Sequence, residues 1–150
     1  MIGWYAGERS RLRSLYELAE DSPERLEAAI GQGRVLAATH AGEIVAFLQL
    51  VESEGEIELK GLAVAEPCQG TGIGSALIAR AADECRAEGW TTLLVSTAAA
   101  ATDTVRFYQR RGFRMLRIER DAFTPADGYP EGFEIDGIPM RDRVWLSLAL

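Results

Sequence analysis

Residues 69–74, QGTGIG, place three glycines in five positions and run directly into the amphipathic stretch SALIARAADECRAEG. Glycines crowded at the front of a helix let backbone N–H groups come close to a ligand. The unpaired donors and positive end of the helix there favour a phosphate. Three readings compete for the loop. A P-loop needs a lysine and then Ser or Thr after its last glycine, whereas Gly74 is followed by Ser75 and Ala76. A dinucleotide fold needs G-x-G-x-x-G and an acid closing the next strand. Here the spacing is Gly70-x-Gly72-x-Gly74, and TTLLVSTAAA carries no acid. On these residues alone, a tight turn that only caps the helix stays open.

The elements that must hold this loop follow from periodicity. MIGWYAG is short, apolar and aromatic, a candidate first strand, and ERSRLRSLYELAED gathers Leu12, Leu15, Tyr16, Leu18 and Ala19 on one helical stripe. DSPERLEAAIGQG restarts a helix, with Ser22 as cap, Pro23 at the first helical position and Gly31 or Gly33 as stop. RVLAATHAGEIVAFLQLVES reads as a hairpin turning at Ala41-Gly42. GEIELKGLAV is a third strand, with Glu56, Glu58, Lys60, Leu62 and Val64 alternating onto one face. The loop's own helix spans about residues 72–88, and WTTLLVSTA is a buried strand. TDTVRFYQRRG is a helix capped by Thr102 or Asp103 and stopped at Gly112. FRMLRIERD and RVWLSLAL close the chain as strands, with the turn-rich, aromatic AFTPADGYPEGFEIDGIPMRD between them. This order predicts one domain over residues 1–150, an α/β (α+β) mixed sheet with helices packed on it.

Composition sets bounds on function. A chain of 150 residues, 47% hydrophobic and 26% charged, has enough apolar material for one core and is not disordered. The net charge of −7 argues against nucleic acid as a partner; it favours a cationic partner such as an amine, or simply solubility. No apolar run approaches the roughly 20 residues that cross a bilayer, and MIGWYAGERSRLRS lacks the apolar core of a signal peptide. Cys68 and Cys85 have neither metal-ligand spacing nor a disulfide framework. The expectation is a cytoplasmic protein without metal or membrane partner.

LAVAEPCQGTGIGSALI resembles the acyl-CoA-binding segment of the GCN5-related N-acetyltransferases (the GNAT superfamily). That family's signature, Gln/Arg-x-x-Gly-x-Gly/Ala, stands here as Gln69-Gly70-Thr71-Gly72-Ile73-Gly74. Roughly thirty residues on, VRFYQRRGF resembles its second landmark, an aromatic-Tyr-x-x-x-Gly-Phe helix end followed by a strand. The resemblance is good over about residues 33–120, holds only in element type for the N-terminal helices, and leaves 121–143 outside the general pattern. It implies a central, mostly antiparallel sheet with one splayed parallel pair and helices on both faces. It also implies acetyl-CoA as co-substrate, attacked directly by an amine.

Carried over by position, the backbone of Leu62, Ala63 and Val64 holds the pantetheine arm and the thioester carbonyl. Gln69, Gly70, Thr71, Gly72, Ile73 and Gly74, with Ser75, present donors to the pyrophosphate. Tyr108 matches the general acid for the leaving thiolate, and Glu58 the base for the amine, with Glu56 in reserve. One departure stands out: the family's pantetheine-contacting asparagine is replaced by Ala101, with Thr102, Asp103 and Thr104 nearby. Phe107 and Cys68 are read as structural, and His40, Arg110 and Arg111 as facing water. Segment 121–143, with Phe123, Tyr129, Phe133 and several acids, is expected to wall the acceptor side, where acids beside aromatics suit an amine. The function expected is acetyl transfer to a primary amine of a small molecule. A peptide or protein N-α-acetyltransferase and a non-catalytic acyl-CoA sensor are the alternatives, and a homodimer is an open option.

Overall fold

Alternation along the first long hairpin decides which helix covers which face of the sheet. In the computed structural model, which describes residues 1–150, strand β2 (Arg34–His40) and strand β3 (Glu43–Ser53) send Leu36, Ala46, Leu48 and Leu50 to one side. Val35 and Phe47 go to the other. On the first face lie the long helix α3 (Ile73–Ala87) and helix α4 (Thr102–Arg110), which contribute Leu77, Ile78, Ala81, Cys85 and Tyr108 to the main core. On the second lie α1 (Arg13–Ala19) and α2 (Pro23–Ala29), where Leu12, Leu15, Tyr16 and Leu26 pack on Phe47 and Ala63. Tyr16 stacks on Phe47 with ring centroids 4.1 Å apart. Helices therefore cover both faces, as the resemblance implied.

The remaining strands are β1 (Ile2–Trp4), β4 (Glu56–Val64), β5 (Thr92–Ala98), β6 (Arg114–Glu119), the short hairpin β7 (Glu134–Ile135) and β8 (Ile138–Pro139), and β9 (Arg143–Ala149). The main sheet has seven strands in the order β1-β2-β3-β4-β5-β9-β6. Only β4 and β5 run parallel, and their register holds just two pairs, Glu58 with Leu94 and Leu59 with Val95. Every other pairing is antiparallel, so the mixed sheet and its splayed pair agree with the expected fold.

Two local expectations are corrected. First, β4 does not alternate evenly. Leu50 pairs with Leu59 and Gln49 with Gly61, which leaves Lys60 as an extra, unpaired residue. Such a bulge reverses the side-chain parity beyond it. Glu58 therefore lies on the α1 face, whereas Leu62 and Val64 pack against the main core on the α3 face. Second, α4 is capped by Ala101 without a side-chain acceptor, because the Ala101 carbonyl already accepts the Val105 N–H at 3.0 Å. Thr102 and Asp103 fall inside the first turn, where Asp103 faces Arg106 at 3.8 Å. The Ser22 cap of α2 holds as read: its Oγ accepts the Arg25 N–H at 3.3 Å, with Pro23 at the first helical position.

Residues 121–143 fold back over the α1 face as a strap. A 3-10 turn (Pro125–Asp127) and the β7–β8 hairpin surround a small core of Ala98, Tyr129 and Met140. Polar contacts tie the strap to the α1–α2 link: Ser22 Oγ donates to the Asp127 carbonyl at 3.0 Å, and Arg25 reaches Asp127 Oδ1 at 3.2 Å. Tyr129 Oη donates to Glu20 Oε1 at 2.6 Å. The close approach depends on Gly128, whose φ is +89° and where an added Cβ would overlap Ser22 Oγ and Glu24 Oε2. Gly128→Ala should therefore lower stability by about 1–3 kcal/mol, from a strained φ and overpacking together. Thermal melting checks this, and an unchanged Tm would show that the strap is not held by this contact.

Candidate active site at the splayed strands

The front of α3 is a row of unused donors. The backbone N–H groups of Gly70, Thr71, Gly72, Ile73, Gly74 and Ser75 donate to nothing in the protein, since the first helical bond is Ala76 N–H to the Gly72 carbonyl at 3.0 Å. The loop is braced from beneath. Gln69 Nε2 donates to the Val64 carbonyl at 2.9 Å, and Thr71 Oγ1 donates to the Cys68 carbonyl. Gly72 caps the helix at φ +88°, and no protein atom lies within 4 Å of where its Cβ would stand. Six unused N–H groups at and before the positive end of a fifteen-residue helix are donors of the kind that can hold an anion.

Gly74 serves packing instead, as a Cβ there would meet the Phe107 ring at 3.3 Å. Arg111 is also placed differently from its expected position in water. Its Nη1 donates to Ser75 Oγ, and its guanidinium lies 5.4 Å from the Phe107 centroid, so the last turn of α4 brings a fixed cation beside the donor row. The signal in the sequence was the four-residue spacing of Phe107 and Arg111, which puts both on one helix face.

From the donor row a gap opens between β4 and β5, because their pairing stops at Leu59 and Val95. Strand parity settles which backbone groups face it. The Ala65 N–H reaches the Val45 carbonyl at 2.8 Å, on the β3 side, so Ala63 also points its N–H and C=O toward β3. The N–H groups of Leu62 and Val64 consequently face the gap. Of the three residues expected to hold the pantetheine arm, Leu62 and Val64 are oriented to do so by their backbones and Ala63 is not.

The gap leads into a cleft of about 430 Å³ bounded by β4, β5, α4, the α1–α2 link and the strap. Glu58 and Tyr108 both line it, although one projects from the α1 face and the other belongs to the α3-face core. Tyr108 is 6% exposed, set edge-on between Phe107 and Phe113 at 5.4 and 5.5 Å. Burial raises its phenol above the ordinary value, so it stays protonated through neutral pH. Ala101 lines the cleft where an asparagine was absent from the motif, and Thr104, one helical turn on, supplies the hydroxyl of that wall. Burial raises the Glu58 carboxyl too, while the Lys60 ammonium at 3.8 Å and the Arg143 guanidinium draw it back down. Glu56, the reserve base, is exposed and lies outside this cleft.

Three buried polar atoms lack a partner, and all three belong to residues of the cleft wall: Tyr16 Oη, Gln49 Oε1 and Arg143 Nε. Gln49 is held by its Nε2, which donates to the carbonyls of Ala29 and Gln32 at 2.7 Å each. None of the three was picked out from the sequence. Gln49 was detectable as the one polar residue in the apolar run IVAFLQLV. The strap contributes Phe123, Tyr129, Ile135, Met140 and Arg143 to the lining, but no acid, which corrects the expectation for that segment; Phe133 packs in the strap's own core. Asp127 is turned outward to Arg25. The structure gathers no cluster of three His, Cys, Asp or Glu side chains suited to a metal, and no helix is long and apolar enough to cross a membrane.

The raised Glu58 carboxyl has a consequence for stability. A folded pKa above the unfolded one means that the folded chain holds this proton more tightly. The stability it contributes is complete below the unfolded carboxyl pKa and is lost as pH rises through the folded value. Glu58→Gln keeps the shape and stays neutral, so it should melt above wild type at pH 7–8, with the difference closing below about pH 4. A lower Tm for the Gln variant at pH 8 would mean that the Lys60 ion pair outweighs burial.

Comparison with known proteins follows the same lines. The model of the acetyltransferase (GNAT) family matches residues 4–113. An uncharacterised N-acetyltransferase of Bacillus subtilis is 28% identical over 140 residues, 93% of this chain and 89% of that protein. A GNAT family acetyltransferase from Elizabethkingia anophelis, solved with acetyl-CoA bound, superposes with a TM-score of 0.89 at 28% identity, covering 100% of this chain and 97% of that one. A Bacillus subtilis acetyltransferase in complex with CoA does so with a TM-score of 0.88 at 27% identity, covering 99% and 97%.

Proposed function

The chain belongs to the acetyltransferase (GNAT) family, and from that premise we propose that it transfers the acetyl group of acetyl-CoA to a primary amine of a small molecule by direct attack. The observation that carries this reading is the row of six free N–H groups at the front of α3, tied through Gln69 to Val64 of β4, together with the cleft at the parted β4–β5 pair that holds both Tyr108 and Glu58. Solved relatives at 27–28% identity hold acetyl-CoA or CoA, which supports the choice of donor. A cleft of about 430 Å³ roofed by the strap suits a small acceptor better than a protein chain end.

Acetyl-CoA supplies a thioester whose carbonyl carbon an amine can attack and whose sulfur leaves as a thiolate. The residues of this chain do the rest. The donor row from Gly70 to Ser75, with Arg111 beside it, binds the diphosphate, and Gln69 braces the loop through Val64. The free N–H groups of Leu62 and Val64 hold the arm and the thioester oxygen, a fixed dipole where negative charge develops. Thr104 stands in for the missing asparagine. Glu58 accepts the proton of the ammonium acceptor; its raised pKa makes it a better base than an exposed carboxylate. Tyr108 donates toward the departing sulfur. Because burial makes it a weaker acid than free phenol, its contribution belongs at the low end of acid catalysis, about 10²-fold.

Two measurements test these roles. Gly72→Ala puts a methyl into the open space before the helix, and calorimetry should show acetyl-CoA affinity falling about tenfold or more, with a stability cost of about 1 kcal/mol. Gly89→Ala is the control. Its φ of +90° and open surroundings match those of Gly72 at the opposite end of α3, so it should cost similar stability and leave affinity alone. Equal affinities in both variants would displace the diphosphate from this loop. Tyr108→Phe should retain acetyl-CoA affinity and lower the single-turnover transfer rate about 10²-fold. A wild-type single-turnover rate would make the ring structural and assign the proton to water.

A further inference from the structure

Arg143 is the one charged side chain that the strap aims into the cleft, and no group of the protein accepts a hydrogen bond from it. Its Nε is buried and unpartnered. The guanidinium lies 4.9 Å from the Phe123 centroid, a packing that holds its plane without satisfying its donors. The other cations lining the cleft are engaged: Arg25 pairs with Asp127 at 3.2 Å, and Lys60 faces Glu58 at 3.8 Å. Of the acids lining the cleft, Glu20 is engaged by Tyr129 and Glu58 by Lys60, and Asp21 makes no ion pair with Arg143. Holding a guanidinium partly out of water without an acceptor is costly, and a planar carboxylate is the group whose two oxygens match its fork.

The position of Arg143 fits this partner. β9 pairs Arg143 with Ala98 of β5, beyond the point where β5 leaves β4, and the side chain lies on the same face as Glu58 and within its electrostatic reach. The diphosphate site at the front of α3 has its own cation, Arg111, so Arg143 is not required there. The cleft lining mixes apolar and aromatic side chains, Phe123, Tyr129, Ile135 and Met140, with the polar Gln49, Ser96 and Thr97. It thus offers a carboxylate base for an amine and a free guanidinium for an anion.

We propose that the acceptor is an amine that also carries a carboxylate, an amino-acid-like zwitterion, with its carboxylate on Arg143 and its amine turned to Glu58. This rests on the acetyl-transfer reading above and narrows it from amines in general to one class. Arg143 is then a specificity-determining residue, and its loss weakens acceptor binding more than it changes the chemistry.

The test uses matched pairs that differ only in the carboxylate: L-phenylalanine with 2-phenylethylamine, L-methionine with 3-methylthiopropylamine, and 4-aminobutyrate with propylamine. Transfer is followed as release of CoA thiol. In the wild type, at least one carboxylate-bearing member should exceed its partner tenfold or more in kcat/KM. Arg143→Gln should raise the KM of that member about 10- to 100-fold and bring the ratio of the pair toward one, and Arg143→Lys should keep part of the preference. A pair ratio near one in the wild type, or a preference that survives Arg143→Gln, overturns the inference. Turnover of neither member of any pair by a chain that binds acetyl-CoA in calorimetry overturns it too, and leaves acetyl transfer standing. Failure to bind acetyl-CoA removes the underlying reading as well.

Discussion

Two residue pairs, Glu58 with Leu94 and Leu59 with Val95, are all that join β4 to β5 in parallel, and the site depends on their stopping there. A sheet is ordinarily a barrier: side chains on one face do not meet those on the other. Once β4 and β5 part, a slot runs through the sheet from one layer of helices to the other. Glu58 from the α1 face and Tyr108 from the α3-face core then line a single cleft. The same separation frees the backbone of Leu62 and Val64, whose hydrogen bonds would otherwise be spent on β5. One defect in pairing therefore creates the opening, the donors and the meeting of Glu58 and Tyr108.

The rest of the molecule keeps that opening usable. On one side, a 3-10 turn and the glycine loop join β4 to α3, Gln69 ties that loop back to the Val64 carbonyl, and α4 packs its last turn against the helix front through Phe107 and Arg111. On the other side, the strap walls the cleft and is fastened to the α1–α2 link through Ser22, Arg25 and Tyr129. These ties use backbone carbonyls and half-exposed ions, so their worth lies in geometry more than in energy. They leave one charge, Arg143, facing inward.

Much of this was legible in the residues. Local rules place the helices and strands well: Ser22-Pro23 opens α2, the QGTGIG glycines precede α3, and VRFYQRRGF ends α4 where a strand must begin. The donor row was legible because glycine requirements and helix ends are written in short windows, whereas the splayed parallel pair was only what the family resemblance implied. The Lys60 bulge could not be read that way. It is a property of the β3–β4 register, set by which apolar side chains on two strands find a common core, and it reverses faces without marking the sequence. Arg143 was missed for a related reason, since an arginine reads as surface until the tertiary contacts that bury it are known. Arg111 and Gln49 did leave signals, a helical spacing from Phe107 and a lone polar residue in an apolar run. In the strap, Phe123 and Tyr129 line the cleft but Phe133 does not, and no acid does, Asp127 being paired with Arg25.

The extra residue at Lys60 lies outside the ladder, because Gly61 still faces Gln49 and Leu62 still faces Leu48 across it. Deleting it would straighten the strand and leave Leu62 and Val64 on the main-core face, with their amides still turned to the gap. What such a deletion would remove is the local twist and the ammonium beside Glu58. This one position is therefore a tuning element for the carboxylate, and the strand can lose it without losing its phase.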